Sequence, residues 1–453
     1  MHLTREAVLA LAPDASSSKS AQGLLNPGQW PLLGHDDAAV WGECQGSGAK
    51  PYQTQVDLSG PTFRCTCPSR KFPCKHGLAL LLLRVDKPAS FGRSPAPGWV
   101  TEWLQSRAER ERKREETVQK RAAAPAEAAT GDDARAAAER EARRQAQRWQ
   151  RIEQGAAELE RWIADLMRRG LGSVAPDKLD DWHGMAARLV DAQAPGLAQR
   201  LKLAAACIGS GSHWPAQALR RLGLLVLAAH ALRRRADLPA ATQADLRTVV
   251  GWPLDKAELV SNADRVDDRW YVLGCAIDER EDRLTERRVW LQGAGGRRAL
   301  LLDHAFGGRG FEHLWLVGSS VRAQLAFHPG SMPLRAIALA PPVHADPAVV
   351  LAPELDREWD AVTEHLSACP WIPLLPLLLP AAVVLFAPDG LQLRVDDQVF
   401  DLAVRPADRW SLLAVGGGHP IRLMAEWDGE RLTPLTAWQH PEASPAWQRS
   451  VLP

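Results

Sequence analysis

Hydrophobic and polar positions change their period several times along the 453 residues. Ala39 to Cys44 and Tyr52 to Leu58 alternate as strands do, and the QGSGAKP between them carries Gly46, Gly48 and Pro51, which suit a hairpin loop. Pro61 to Cys67 reads as a third short strand, and the unbroken apolar run Leu78 to Val85 predicts a buried helix. Glu102 to Arg151 is rich in Ala, Arg and Glu and predicts helix with a break over Pro125 to Asp133. Helical period continues from Trp149 to Val250, with Leu159, Trp162, Ile163 and Leu166 on one stripe and Leu189, Leu197, Leu201 and Leu219 to Leu232 on others. Beyond Gly251 the period is two. Trp270 to Ile277, Arg287 to Gln292, Arg298 to His304, Val321 to Phe327, Ala336 to Leu339, Val383 to Phe386, Gln392 to Val395, Val399 to Val404, Ser411 to Val415 and Ile421 to Trp427 read as strands. One helix interrupts them over Glu354 to Ser367. The expected fold is an α+β multidomain chain. It has a loosely packed N-terminal arm (1–29), a β-hairpin/helix module (30–86), a Pro-rich connector and charged helical linker (87–150), a central helical domain (151–250) and a β-rich C-terminal domain (251–453). No internal repeat is evident.

The densest chemistry lies in FRCTCPSRKFPCKHG, which gathers Cys65, Cys67, Cys74 and His76 within a dozen residues. Three thiolates and one imidazole form a closed tetrahedral shell for zinc, and a shell with no open position is structural rather than catalytic. Residues two apart on a strand share a face, so Cys65 and Cys67 are expected to grip the ion from one side while Cys74 and His76 enter from the first turn of the helix. Lys50, Arg64, Arg70, Lys71 and Lys75 surround the site, favour deprotonated sulfur and make a basic face available to a partner. Cys44 lies one strand away and reads as a spare thiol, because four ligands already complete the shell.

The spacing Cys65-x-Cys67, then Cys74-x-His76, together with the flanking WGECQGSGAKPYQTQVDLSG, resembles bacterial SWIM-type zinc-finger proteins. The motif covers about a twentieth of the chain, and its single-residue spacers fall outside the general zinc-finger spacing. The family likeness therefore carries more of the assignment than spacing does. It implies one structural zinc ion and a role in binding DNA or other proteins. It also implies association with AAA-type ATPase and von Willebrand A-like partners.

Charge narrows these classes. The net charge is +1, so the whole chain has no preference for polyanions. Arg107 to Arg121 holds seven Arg or Lys against four Glu, and Arg135 to Arg151 six Arg against two Glu, yet aromatic residues for base stacking are nearly absent there. A solvated helix laced by ion pairs is the simpler reading. Four of the seven cysteines, Cys44, Cys207, Cys275 and Cys369, are scattered without disulfide-like spacing, and no export signal is apparent, which together predict a reducing cytoplasm. Pro370 to Pro388 is uncharged over nineteen residues, but Pro370, Pro373, Pro376 and Pro380 would break a membrane helix, and an extended stretch leading into a strand at Ala381 to Phe386 is expected instead.

No phosphate-binding loop, H-E-x-x-H or dinucleotide fingerprint occurs. Ser210, Ser212 and His213 lack a nucleophile elbow and read as loop, and His304, His313 and His328 read as structural histidines. The expectation is a noncatalytic zinc-binding recognition or adaptor protein acting through protein contacts. Nucleic-acid binding through the basic face is the alternative, and an enzyme with a site assembled within the C-terminal region is the third reading.

Overall fold

The computed structural model describes residues 5–450 apart from 10, 13–14, 47, 49, 59–61, 70, 72, 124–130, 212, 280–283, 307–310, 312, 347–352, 389 and 441–443. The chain opens with α1 (Arg5–Leu9) and α2 (Ala15–Gln22), followed by β1 (Leu32–His35), β2 (Ala39–Cys44), β3 (Tyr52–Asp57), β4 (Thr62–Cys65), α3 (Lys75–Asp86) and β5 (Gly92–Arg93). The strands form one sheet in the order β4-β3-β2-β1-β5. Val40, Cys44, Val56 and Phe63 face α3, whose Leu78 to Leu83 are all buried. The N-terminal arm is not loose, contrary to the sequence expectation. Val8, Ala12 and Ala21 are buried in the same core, and burying Ala21 and Ser17 against the apolar helix overrides the poor helix propensity of the serine run. On the opposite face of the sheet, Ala39 and Trp41 pack against Val100 at the start of α4 (Gly98–Ala123). Gly34 makes room for Trp41, since a Cβ there would stand 2.4 Å from the indole nitrogen.

α4 and α5 (Gly131–Arg169) contain the charged linker, and the predicted break falls mostly outside the described residues. Lys113 pairs with Glu109, Arg135 with Glu139 and Arg144 with Glu141, the pattern of a solvated helix. The C-terminal half of α5 packs with α6 (Asp180–Asp191), α7 (Pro195–Ala205) and α8 (Trp214–Arg233) as a bundle flanked by α9 (Ala240–Val249), while α10 (Lys256–Asn262) packs against α4. Leu159, Ile163, Leu166, Leu189, Leu197 and Leu201 are buried as their stripes predict, whereas Leu219 and Leu227 face solvent. Where α7 meets the end of α9 only glycine fits, because a Cβ on Gly196 would stand 2.3 Å from the Val249 carbonyl oxygen. No described helix is long and apolar enough to cross a membrane.

The C-terminal strands make two barrels of one design. β6 (Arg265–Glu279), β7 (Leu284–Gly293) and β8 (Arg298–Phe306) form an antiparallel meander, β9 (Ser320–Phe327) returns to pair with β6, and β10 (Arg335–Ala338) closes the barrel by pairing parallel with β8 and antiparallel with β9. The short β11 (Val343–His344) extends from β9. After α11 (Leu355–Ala368) the scheme recurs. β12 (Leu375–Ala387), β13 (Gly390–Val395) and β14 (Gln398–Leu402) form the meander, β15 (Ile421–Trp427) returns to β12, and β16 (Leu432–Trp438) pairs with both β14 and β15. β17 (Trp447–Gln448) adds an edge. Both first strands carry a register shift, between Val272 and Gly274 and between Leu379 and Ala382. This connectivity is that of the five-stranded Greek-key barrels of OB type. The repeat missing from the sequence is thus present in the fold, because two barrels can share an inward–outward alternation without sharing residues.

Two local expectations are corrected. Ser411 to Val415 lies within α12 (Arg409–Gly416) and not in a strand: Gly417 takes φ 53° and its N–H bonds the Leu413 carbonyl, a left-handed C-cap that the Gly416-Gly417-Gly418 run supplies. The proline-rich stretch is already strand from Leu375, with Pro380 placed in the register shift where a ladder donor is dispensable.

A buried ionic cluster joins the barrels. Arg288 donates to Glu426 at 2.8 and 3.0 Å, to Glu286 at 2.9 Å and to Asp278 at 2.9 Å. Trp290 Nε1 also donates to Glu426, and Arg405 and Arg449 both donate to Asp278. Burial opposes the charge on Arg288, but Glu426, followed by Asp278 and Glu286, holds it protonated more firmly than usual. Removing one partner of a buried pair leaves an uncompensated charge. Glu426→Gln is therefore expected to cost about 3 kcal/mol in chemical unfolding, and the apolar pair Glu426→Leu with Arg288→Met should recover much of that loss.

Candidate metal centre

Cys65 is the last residue of β4, Cys74 is the N-cap of α3 and His76 lies in that helix's first turn. Cys67 follows the strand by two residues. Its entry differs from the expected same-face strand geometry: strand pairing ends with Thr66, whose N–H bonds the Gln53 carbonyl, and Cys67 is in the bend beyond it. The ligand atoms of Cys65, Cys67, Cys74 and His76 all lie within 4.8 Å of one another, and Cys65 Sγ is 3.7 Å from His76 Nδ1. A tetrahedral zinc shell with bonds of about 2.3 Å to sulfur and 2.0 Å to nitrogen has ligand–ligand edges of roughly 3.5 to 3.8 Å. The donor set and its spacing fit one zinc ion.

The surroundings are built for thiolate. Thr54 Oγ1 lies 3.2 Å from Cys65 Sγ and is placed to donate to it, and the ring of Tyr52 packs 5.0 Å from that of His76. Without metal, hydrogen bonding from Cys74 is the largest cause pulling the Cys65 thiol down to about 4, with His76 and Thr54 adding to it. Cys74 is pushed up in return, first by that same shared proton and then by burial, while burial raises Cys67. The cluster thus holds one thiolate ready, and a dication supplies the charge that releases the other two protons. Gly77 lets α3 approach β4, since a Cβ there would stand 2.8 Å from the Phe63 ring.

Cys44 is a packed thiol, buried and raised to about 11 by that burial. His304 is 3.6 Å from Glu286, and His328 is half-buried, with its pKa lowered to about 4 by that partial burial and by Arg335. Among the described residues, no Cys, His, Asp or Glu cluster other than the Cys65–His76 set is placed to share an ion.

The proposed contact residues do not form one face. Lys50, Lys71 and Lys75 are exposed on the described surface, but Arg64 alternates with Phe63 and Cys65 and so projects from the opposite side of the sheet, next to Gln55 of β3. Arg70 lies outside the described residues. Lys71 and Lys75 line a cleft of about 630 Å³ beside the ligands, together with Ser16, Ser20, Tyr52 and Cys67. Lys71 Nζ reaches Ser16 Oγ at 3.1 Å. The α2 serines were not foreseen, because a serine run reads as loop until its burial against α3 is known. Thr54 shares the Val56 face of β3, the one signal that could have marked it as a neighbour of Cys65.

Residues 52–84 match the family model for the SWIM zinc finger. The protein carries a SWIM zinc finger. A second match, to the SWIM-associated four-helix bundle domain, spans residues 147–250 and coincides with the bundle built on α5 to α8. No curated protein and no solved structure matches the chain. The SWIM module supplies the residues that would hold zinc, which when bound would fasten the end of β4 to the start of α3.

Cys67→Ser and His76→Ala are each expected to reduce zinc from one per chain to near zero by elemental analysis, with the first new proteolytic cuts falling between β4 and α3. Cys44→Ser should keep full zinc. Because protons compete for the thiolates, zinc retention should fall as pH is lowered, in the order expected for thiol protonation and never as pH rises through neutrality.

Proposed function

We propose that the protein is a noncatalytic, zinc-stabilised recognition protein of the cytoplasm that acts through protein partners. The observation that carries this reading is the closed ligand shell: three thiolates and an imidazole leave zinc no open position at which to activate water or substrate. The chain offers broad surfaces instead. A helical bundle and two barrels are held together by Trp371, which is buried in the bundle and donates to the Leu224 carbonyl, and by the Arg288–Glu426 cluster. The partner classes suggested by the family resemblance, AAA-type ATPases and von Willebrand A-like proteins, are the ones to test first.

Nucleic acid is the second reading, favoured by the Lys71–Lys75 cleft and by the barrel type, which elsewhere binds oligonucleotides. With the cations divided between two faces it has less support than protein partnership. Purified full-length protein, mixed with a candidate partner identified by affinity purification, should form a complex that resists nuclease and changes little between low and moderate salt. Recovery of nucleic acid alone, with affinity falling steeply with salt and lost in Lys71→Glu with Lys75→Glu, would transfer the assignment to the second reading.

A further inference from the structure

Buried nitrogen atoms that lack a hydrogen-bond partner gather at one cavity where the helical bundle meets the first barrel. Nε of Arg235, Nε of Arg247 and Nε2 of His328 belong to residues that line it, and Nε of Arg148 belongs to a guanidinium stacked on Trp252 of its wall. The cavity has a volume of about 360 Å³ and is lined by Trp149, Arg235, Arg247, Trp252, Glu258 and His328 among others. Buried donors without acceptors are uncommon in folded proteins, and several gathered at one space call for an acceptor beyond those the described residues provide.

The cations are held in place by tryptophan. Arg148 lies 4.0 Å and Arg247 5.3 Å from the centre of the Trp252 ring, Arg235 lies 4.3 Å from that of Trp149, and the two indoles are 4.9 Å apart. Stacking fixes each guanidinium plane and leaves its edge free to donate. The charges do not balance. Arg247 is paired with Glu258 at 2.9 and 3.2 Å, and Arg235 Nε is 3.7 Å from Glu153, but Arg148 has no carboxylate partner among the described residues. Burial and the nearby Arg247 both work against its charge. Burial keeps the His328 imidazole neutral, so Nε2 can donate in the appropriate tautomer.

We propose that this cavity is an oxyanion site for a phosphate-class ligand, either inorganic phosphate or a small phosphomonoester, held by Arg235 and Arg247 with His328 as a neutral donor and with Arg148, stacked on the Trp252 wall, supplying the uncompensated positive charge. Guanidinium forks match phosphate oxygens in geometry and charge. The cavity is at the small end of ligand pockets, and the indole faces are already covered by guanidinium groups, which excludes recognition by base stacking.

The test is calorimetry and thermal unfolding of the full-length chain at constant ionic strength, with inorganic phosphate in one arm and glycerol 3-phosphate in the other. One site per chain and a rise in Tm are expected, and Arg148→Gln should weaken binding at least tenfold. The variant's own Tm in chloride alone is the reference for its rise in phosphate, because the substitution also removes the stacking on Trp252. Tighter binding of the ester would identify a phosphomonoester as the ligand, and equal or weaker binding would identify free phosphate. Absence of heat and of any Tm rise up to about 10 mM of either anion overturns the proposal, as does undiminished binding by a folded Arg148→Gln. Should that variant fail to fold, Arg235→Gln and phosphorus NMR line broadening on the wild-type chain decide the question by the same criteria.

Discussion

Charge withdrawn from water has to be answered where it is buried, and each part of this chain meets that constraint differently. Between the barrels the protein supplies both signs: Arg288, Arg405 and Arg449 face Asp278, Glu286 and Glu426. At the SWIM module it supplies only the negative side, three sulfur atoms that can all ionise only when a metal dication arrives. Beside Trp252 it supplies an excess of positive charge. The first arrangement is complete within the polypeptide and serves architecture. The other two are complete only with something bound.

The interbarrel cluster has a further consequence for shape. A pair of packed barrels could slide on an apolar interface, but a guanidinium bonded to three carboxylates at 2.8 to 3.0 Å has one geometry, so the cluster fixes their register. α11 acts similarly from the side. Glu358 accepts from Arg298 of the first barrel and from the Leu378 N–H of the second, joining β8 to β12 through one carboxylate. Asp245 of α9 accepts from the backbone and hydroxyl of Ser331, tying the bundle to the first barrel. Polar contacts that span units cost desolvation, and their value here is specificity of arrangement more than net stability.

What the sequence made legible follows from how local the signal is. The four ligands, the helix after them, the stripe Leu159–Ile163–Leu166 and the strand Ile421 to Trp427 could be read because residue type and period act over a few positions. Ser411 to Val415 could not, since five residues with mixed apolar positions fit either period and the outcome was decided by Gly417 taking a left-handed cap. The strand at Leu432–Trp438 was hidden by Pro434 and by its dependence on pairing with the distant β14, β15 and β17. Arg64 was assigned to the metal face on proximity in sequence, although the strand alternation that placed Cys65 also sends its neighbour the other way. The Arg–Trp cavity draws on residues from 145 to 329, a span over which sequence carries no local signal.

The position of the zinc ligands also decides what the metal contributes. Leu78 to Leu83, Val40, Val56 and Phe63, with α1 and α2 against them, already give the module a contiguous apolar core. Many small zinc domains lack such a core and owe their fold to the ion. Here the ligands cluster at one edge, where β4 ends and α3 begins. The cleft bearing Lys71 and Lys75 is formed by the chain at that edge and by α2. On the proposed reading zinc would act on the module chiefly by shaping this cleft, and any partner that binds only the ordered cleft would raise the affinity for zinc by the factor by which zinc raises affinity for the partner.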